Sequence, residues 1–393
     1  MTDPAKYIYL DYAATTPIDP RVRDCMVTVM DNQEYFGNPS SSTHVYGERA
    51  AAAVEQAAQQ VAGLINAAPG DLIWTSGATE SDNLAVMGAA RFRRIKGQHI
   101  VTAATEHKAV LESCRQLEQE GFDITYLQPD EQGIIAPPAV AEALRKETIL
   151  VSIMHANNET GVVQDVAAIG AICRAHDVLF HVDAAQSIGK LQVDVAAQQI
   201  DLLSLNAHKA CGPKGVGALY LNPERIKRVE PLLFGGGQQH GIRPGTLAVH
   251  QIAGMGATLE ILAAEMDAEV ARTTALRDRL WAGLAELPGV RLNGHPEQRL
   301  CSILNVSVAG VEGESLMYAL QNLAVASGSA CNSASGEASY VLRSLGLSDQ
   351  LAEASVRLSM GRFSTAAEID AAIAVFAAAA SYLQELSPVV IAT

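Results

Sequence analysis

The chain has 393 residues, with 28 Lys and Arg against 43 Asp and Glu, a formal net charge of −15 at pH 7. Apolar types make up 49% and charged types 18%, a globular composition whose length suits two domains or one large one. The acidic balance excludes a simple nucleic-acid binder, because phosphate contacts need a basic face.

The start, Met1-Thr2-Asp3-Pro4, has neither the basic region nor the apolar core of a secretory signal, and a cytoplasmic protein is expected. Short apolar runs then recur at 73–75, 100–102, 124–127, 149–154, 178–182, 202–205 and 218–220, with amphipathic segments at 81–94, 110–120 and 166–177 between them. This alternation predicts an α/β fold with a mostly parallel sheet of about seven strands, covered on both faces, between residues 70 and 221. A long helical pattern over 249–287 ends the alternation, and shorter strands and helices follow as a second, smaller α+β domain. The Ala-rich run 371–383 is too short to span a bilayer and reads as a packed helix. Six cysteines (Cys25, Cys114, Cys173, Cys211, Cys301, Cys331) show no C-x-x-C and no zinc-like spacing. In a reducing compartment each is a free thiol, either a small buried hydrophobe or a reactive group, and no metal site is expected.

Ligands of doubly wound sheets bind beyond the carboxyl ends of the strands, so the residues after each apolar run matter most. Thr75-Ser76-Gly77-Ala78-Thr79-Glu80-Ser81 suits either a phosphate cradle at a helix start or an ordinary capped helix. His107, in Thr105-Glu106-His107-Lys108, faces the cleft or serves as a hydrogen-bonded loop residue. Asn157-Asn158-Glu159 offers donors and acceptors to a polar ligand, or makes a turn. Asp183 ends an apolar strand interrupted only by His181, where a carboxylate needs a cation or a strong donor unless it caps a helix. Lys209, in Asn206-Ala207-His208-Lys209, follows one strand–helix–strand unit later. A desolvated lysine is a nucleophile toward an aldehyde. Cradle, carboxylate and lysine at one sheet edge are what pyridoxal 5'-phosphate requires. Ser327 to Gly336 has no large side chain, so it reads as a mobile loop that exposes the Cys331 thiol as a candidate nucleophile. Arg357, in an apolar strand-like segment, awaits a carboxylate, either a substrate's or that of an internal salt bridge.

Together these motifs resemble the cysteine desulfurases, in particular the housekeeping iron–sulfur assembly group. The resemblance rests on Tyr9 to Pro17 (YLDYAATTP), Ser76 to Asn83 (SGATESDN), Thr105 to Val110 (TEHKAV), Ser327 to Cys331 (SGSAC) and Gly361-Arg362-Phe363. It implies the aspartate-aminotransferase-like fold (type I), a homodimer and pyridoxal phosphate. Residues 16–262 would be the large domain, and 1–15 with 263–393 the small one, carrying the cysteine loop at about 325–340. By resemblance, Lys209 is the Schiff-base lysine, Asp183 the partner of the pyridine nitrogen and Gln186 that of the phenolic oxygen. His107 stacks on the ring and shuttles protons. Ala78, Thr79, Asn206 and His208 hold the phosphate, with Thr246 lent by the other subunit. Asn158 and Arg357 hold the substrate carboxylate. The implied reaction takes sulfur from L-cysteine as a persulfide on Cys331, releases L-alanine, and passes the sulfur to an acceptor protein for iron–sulfur cluster, thio-cofactor or tRNA thiolation pathways. Neither nucleic acid nor membrane is an expected direct partner. Asn206 stands where the family usually has Ser, and Asn332 where its close relatives carry Thr or Ser. The tail stops soon after Leu386-Ser387-Pro388, where close relatives continue into a scaffold-docking segment, so a specialised acceptor is an open alternative.

Overall fold

A computed structural model describes residues 7–327 and 338–387, so Cys331 lies outside the described residues. The apolar runs become strands β1 (Leu72–Thr75), β2 (His99–Ala103), β3 (Asp123–Leu127), β4 (Thr148–Ser152), β5 (Leu179–Asp183), β6 (Leu202–Asn206) and β7 (Gly217–Leu221). Their order across the sheet is β1-β7-β6-β5-β4-β2-β3. β7 runs antiparallel to both neighbours and every other pairing is parallel, which is the mostly parallel sheet expected. Every strand but the edge strand β3 is buried along its whole length. Period-two alternation sends Val101, Val151, Phe180 and Leu203 to one core and Ile100, Leu150, Leu179 and Leu202 to the opposite one.

Helix α1 (Val45–Ile65) packs on the first of these faces. Helix α2 (Ala78–Asn83) starts three residues before the amphipathic segment read from the sequence, and helical turns continue through Leu84–Gly88 to Ala89–Arg93. Gly77, at φ +150°, turns the chain straight from β1 into the helix, and the first turn carries no large apolar residue for periodicity to detect. Helices α3 (Lys108–Gln119) and α4 (Val166–Ala175) follow β2 and precede β5.

The long helical pattern is one 37-residue helix, α5 (Val249–Ala285). Its Ile252, Met255, Leu259 and Leu262 join the first core, while Leu276, Leu280 and Leu284 join a separate one. That second core fills a four-stranded antiparallel sheet of β8 (Val290–Leu292), β9 (Ile303–Val308), β10 (Ala326–Ser327) and β11 (Ser355–Ser359), ordered β10-β11-β9-β8. Near the amino terminus, Ile8–Tyr9 pairs in parallel with Leu323–Ala324, and Leu10 belongs to this core. Helix α6 (Ala366–Leu386) closes it, opened by a capping box between Thr365 and Glu368. At 21 residues α6 corrects the expectation of a stretch too short to span a bilayer, since by length and composition it is long and apolar enough to cross one. Cap and charged first turn belong to the helix although they lie outside the Ala-rich run. Ile369, Ala372, Phe376, Ala379 and Ala380 are buried in the second core, which accounts for the apolar face.

Candidate active site

Strands β1, β2, β4, β5 and β6 all end at the same sheet edge, and each contributes a loop there. After β1, Gly77 lies against Gly217 of β7 so closely that a Cβ on Gly217 would sit 2.7 Å from the Gly77 Cα. The position a Gly77 side chain would fill is open, with nothing within 4 Å. Ser81 donates to the Gly77 carbonyl at 3.1 Å as the first helical bond, so the amides of Ala78, Thr79 and Glu80 are first-turn donors. With the helix dipole they form an anion cradle.

After β2, His107 caps α3, its Nδ1 accepting from the Ala109 amide at 3.2 Å. Neutral His107 therefore carries its proton on Nε2. Burial pushes its pKa down, Lys209 and Lys108 push the same way, and Asp183 opposes them. Beside it Glu106 is fully buried, with Oε1 accepting from the Met154 amide at 2.8 Å and its pKa raised by burial.

After β5, Asp183 is 6% exposed, and its Oδ1 accepts from the Ala185 amide at 2.8 Å. Two residues earlier, on the same face, His181 bonds Ser152 Oγ at 2.8 Å and Ser204 Oγ at 2.9 Å. Burial pushes its pKa to about 4. Asp82 of α2 lies 3.6 Å from His181 Nε2, and burial and the Asp183 charge raise its pKa. Gln186 donates from Nε2 to the Ala13 carbonyl at 2.8 Å, while its buried Oε1 has no partner.

After β6, Asn206 braces two loops. Its Oδ1 accepts from the Lys209 amide at 3.2 Å and its Nδ2 donates to the Ala185 carbonyl at 3.4 Å. It is fully buried, so the amide expected at the phosphate has both ends on protein groups. His208 bonds Thr15 Oγ1 at 3.1 Å, and burial pushes its pKa to about 4. Burial lowers the pKa of Lys209; Asp183 opposes the shift, and Lys190 and Arg357 add to it.

From the second sheet, Arg357 on β11 is 2% exposed. Its Nη1 donates to the Asn158 carbonyl at 2.8 Å and its Nη2 to Asp11 Oδ1 at 2.7 Å. Of the two open alternatives the structure shows the internal salt bridge, made to Asp11 beside the Asn158 loop. Arg357 Nε and Asn158 Oδ1 are buried without partners among the described residues. Thr246 is exposed, on a segment stitched beside β1 by Gln239, which bonds both backbone groups of Trp74, and by the Arg243–Glu80 pair at 2.8 Å. Among the described residues no His, Cys, Asp and Glu group has the makings of a metal site.

Asp11, Asp82, Glu106, His181 and Lys190 escaped the sequence reading. Asp11, Asp82 and Glu106 stand inside quoted motifs, and His181 shares a strand face with Asp183. Those were the signals available.

A desolvated amine beside a carboxylate, an open anion cradle and the orphaned Gln186 Oε1 fit pyridoxal phosphate, and together they define a pyridoxal-phosphate enzyme. The aminotransferase class-V family model matches residues 8–372. "Cysteine desulfurase IscS" of Shewanella loihica is 55% identical over 381 residues, 97% of this chain and 94% of that protein. Its Photobacterium profundum counterpart is 54% identical over the same shares. A solved NifS-like protein superposes with a TM-score of 0.88 at 32% identity, covering 96% of this chain and 100% of that one. SspA in complex with cysteine gives a TM-score of 0.80 at 37% identity, over 91% and 100%. The chain belongs to the aminotransferase class-V family and, within it, to the cysteine desulfurases.

Proposed function

We propose that this site removes sulfur from L-cysteine in the cytoplasm, leaving L-alanine and a persulfide on Cys331 for an acceptor protein. The observation that carries the reading is the gathering of Lys209, Asp183 and the open cradle after Gly77 at one edge of the sheet, where burial lowers the Lys209 pKa and Asp183 opposes the shift. Pyridoxal phosphate, when bound, supplies an electron sink for negative charge at the substrate Cα. Lys209 would hold it, and once the substrate amine has taken its place there the released Lys209 Nζ is the base for the Cα proton. Asp183, its carboxylate oriented by the Ala185 amide, would pair with the ring nitrogen, and Gln186 would meet the ring oxygen. His107 would cover the ring, and with Nδ1 accepting from the Ala109 amide its Nε2–H is left as a proton donor. The amides of Ala78 and Thr79, with His208, take the phosphate, and Asn206 keeps the Asp183 and Lys209 loops in register. Asn158 and Arg357 receive the substrate carboxylate, for which Arg357 Nε is unpaired. The Cys331 thiolate bonds to the substrate sulfur as the Cβ–S bond breaks and its electron pair passes to Cβ; Cβ is then protonated, and return of a proton from Lys209 Nζ to Cα completes alanine.

A homodimer accounts for the exposed Phe36, Leu233 and Phe234, which flank no core of this chain, and for Thr246 of the partner subunit at the phosphate. The two cores support bodies at 16–262 and at 1–15 with 263–393, joined through α5. The test is cysteine turnover in the presence of a reductant. Cys331→Ala is expected to keep the bound cofactor's visible band and lose both sulfide and alanine. Full turnover in that variant removes Cys331 from the reaction.

A further inference from the structure

Lys190 takes no part in the reaction as derived, yet it is a second lysine enclosed at the site. It ends the turn that leaves β5, where the Lys190 amide bonds the Ser187 carbonyl at 2.9 Å and coils the chain back beneath Lys209. Its Nζ donates to the Gln186 carbonyl at 2.9 Å and to the Lys209 carbonyl at 3.4 Å. One amine thus ties together the two loops that carry a ring-oxygen partner and the cofactor-bearing lysine. With Tyr12, Lys209, Cys211, Glu269 and Arg362 it lines a cavity of about 20 Å³, room for a water but not for a substrate.

The groups facing Lys190 are Cys301, Cys211 and Glu269, the cations of Lys209 and of Arg362 on the same cavity, and the His208 imidazole. Those facing Lys209 are Asp183 at the end of β5, Asp82 of α2, Arg357 of β11, Lys190 itself, and the imidazoles of His107 and His208. Burial lowers the Lys190 pKa, while Cys301, Cys211 and Glu269 oppose the shift and the two carbonyl acceptors hold the ammonium in place. A second ammonium this near raises the cost of protonating Lys209, because like charges in a poorly solvated pocket repel strongly.

We propose that Lys190 is a positioning residue that fixes the Gln186 and Lys209 loops and, by its charge, keeps the Lys209 amine ready to accept a proton. The proposal rests on the reading of Lys209 as the lysine that holds the cofactor. The experiment titrates the visible absorption of the cofactor-loaded protein across the neutral and alkaline range, in wild type, Lys190→Met, Lys190→Gln and Lys190→Arg. Both neutral variants are expected to move the midpoint upward by about one pH unit, and Lys190→Arg to return it to the wild-type value. Lys190→Gln keeps a donor for the two carbonyls, so it separates the charge from the tether. A midpoint within about 0.2 unit of wild type in either neutral variant overturns the proposal, since a purely structural lysine leaves it unmoved. Lys209→Ala isolates the underlying reading: a pH-dependent band that persists there overturns the assignment of Lys209 itself.

Discussion

Replacing Arg357 with lysine keeps the charge and removes the fork. The guanidinium spans two partners in different parts of the chain, the Asn158 carbonyl at 2.8 Å and Asp11 Oδ1 at 2.7 Å, and one ammonium on a shorter stem reaches only one. Losing one charged hydrogen bond at a residue 2% exposed costs about 1.5–3 kcal/mol, and leaving a buried carbonyl unpaired adds about 1–3 kcal/mol. A destabilisation of about 2.5–6 kcal/mol is therefore expected, read as a lower urea midpoint. For the substrate, losing forked recognition of the carboxylate removes about 1.5–3 kcal/mol, which is roughly a 10- to 150-fold rise in KM for cysteine. Asp11→Asn separates the two roles. It removes the internal carboxylate, lowering stability, but leaves the fork free, so KM stays near wild type or falls. Steady-state cysteine saturation alongside urea unfolding measures both quantities on the same preparations. If Arg357→Lys lowers stability yet leaves KM within about threefold of wild type, Arg357 is only a structural ion pair and its assignment to the substrate is wrong.

Gly217→Ala places a Cβ 2.7 Å from the Gly77 Cα, so the cradle backbone must shift; weaker cofactor retention in dialysis is the expected outcome, at little change in secondary structure by circular dichroism. His181 has a folded pKa of about 4 against roughly 6.5 unfolded, so the unfolded chain binds the extra proton between these values. The His181 contribution is complete above about pH 6.5 and lost as pH falls toward 4, by up to about 3 kcal/mol. His181→Gln should flatten that slope in urea midpoints measured against pH. Glu159 acts with the opposite sign. Burial raises its pKa to about 7, so its share of stability falls as pH rises from about 4.5 to 7, and Glu159→Gln should remove that dependence. Phe376→Ala empties a fully buried site in the second core, with an expected loss of about 3–5 kcal/mol by denaturant unfolding and a smaller effect on cofactor binding.

What could be read from the sequence alone was whatever repeats over short distances. Short continuous apolar runs located β1 to β7 within a residue or two, because burial on both faces of a sheet demands near-continuous apolar side chains. The loops after those runs contained Ala78, His107, Asp183 and Lys209, because a parallel sheet gathers its strand ends at one edge. The start of α2 was missed because a glycine-driven turn has no periodicity, and the length of α6 because its cap and first turn are polar. Only the tertiary structure decided the pairings. Arg357 meets Asp11 across 346 positions of the chain, and His208 meets Thr15 across 193. Asn206 turns out to brace two loops. Asp82, His181, Glu159 and Lys190 gain their roles from what encloses them. Proton affinity depends on lost solvent and on charges brought near by folding, and neither is written in the spacing of residues along one segment.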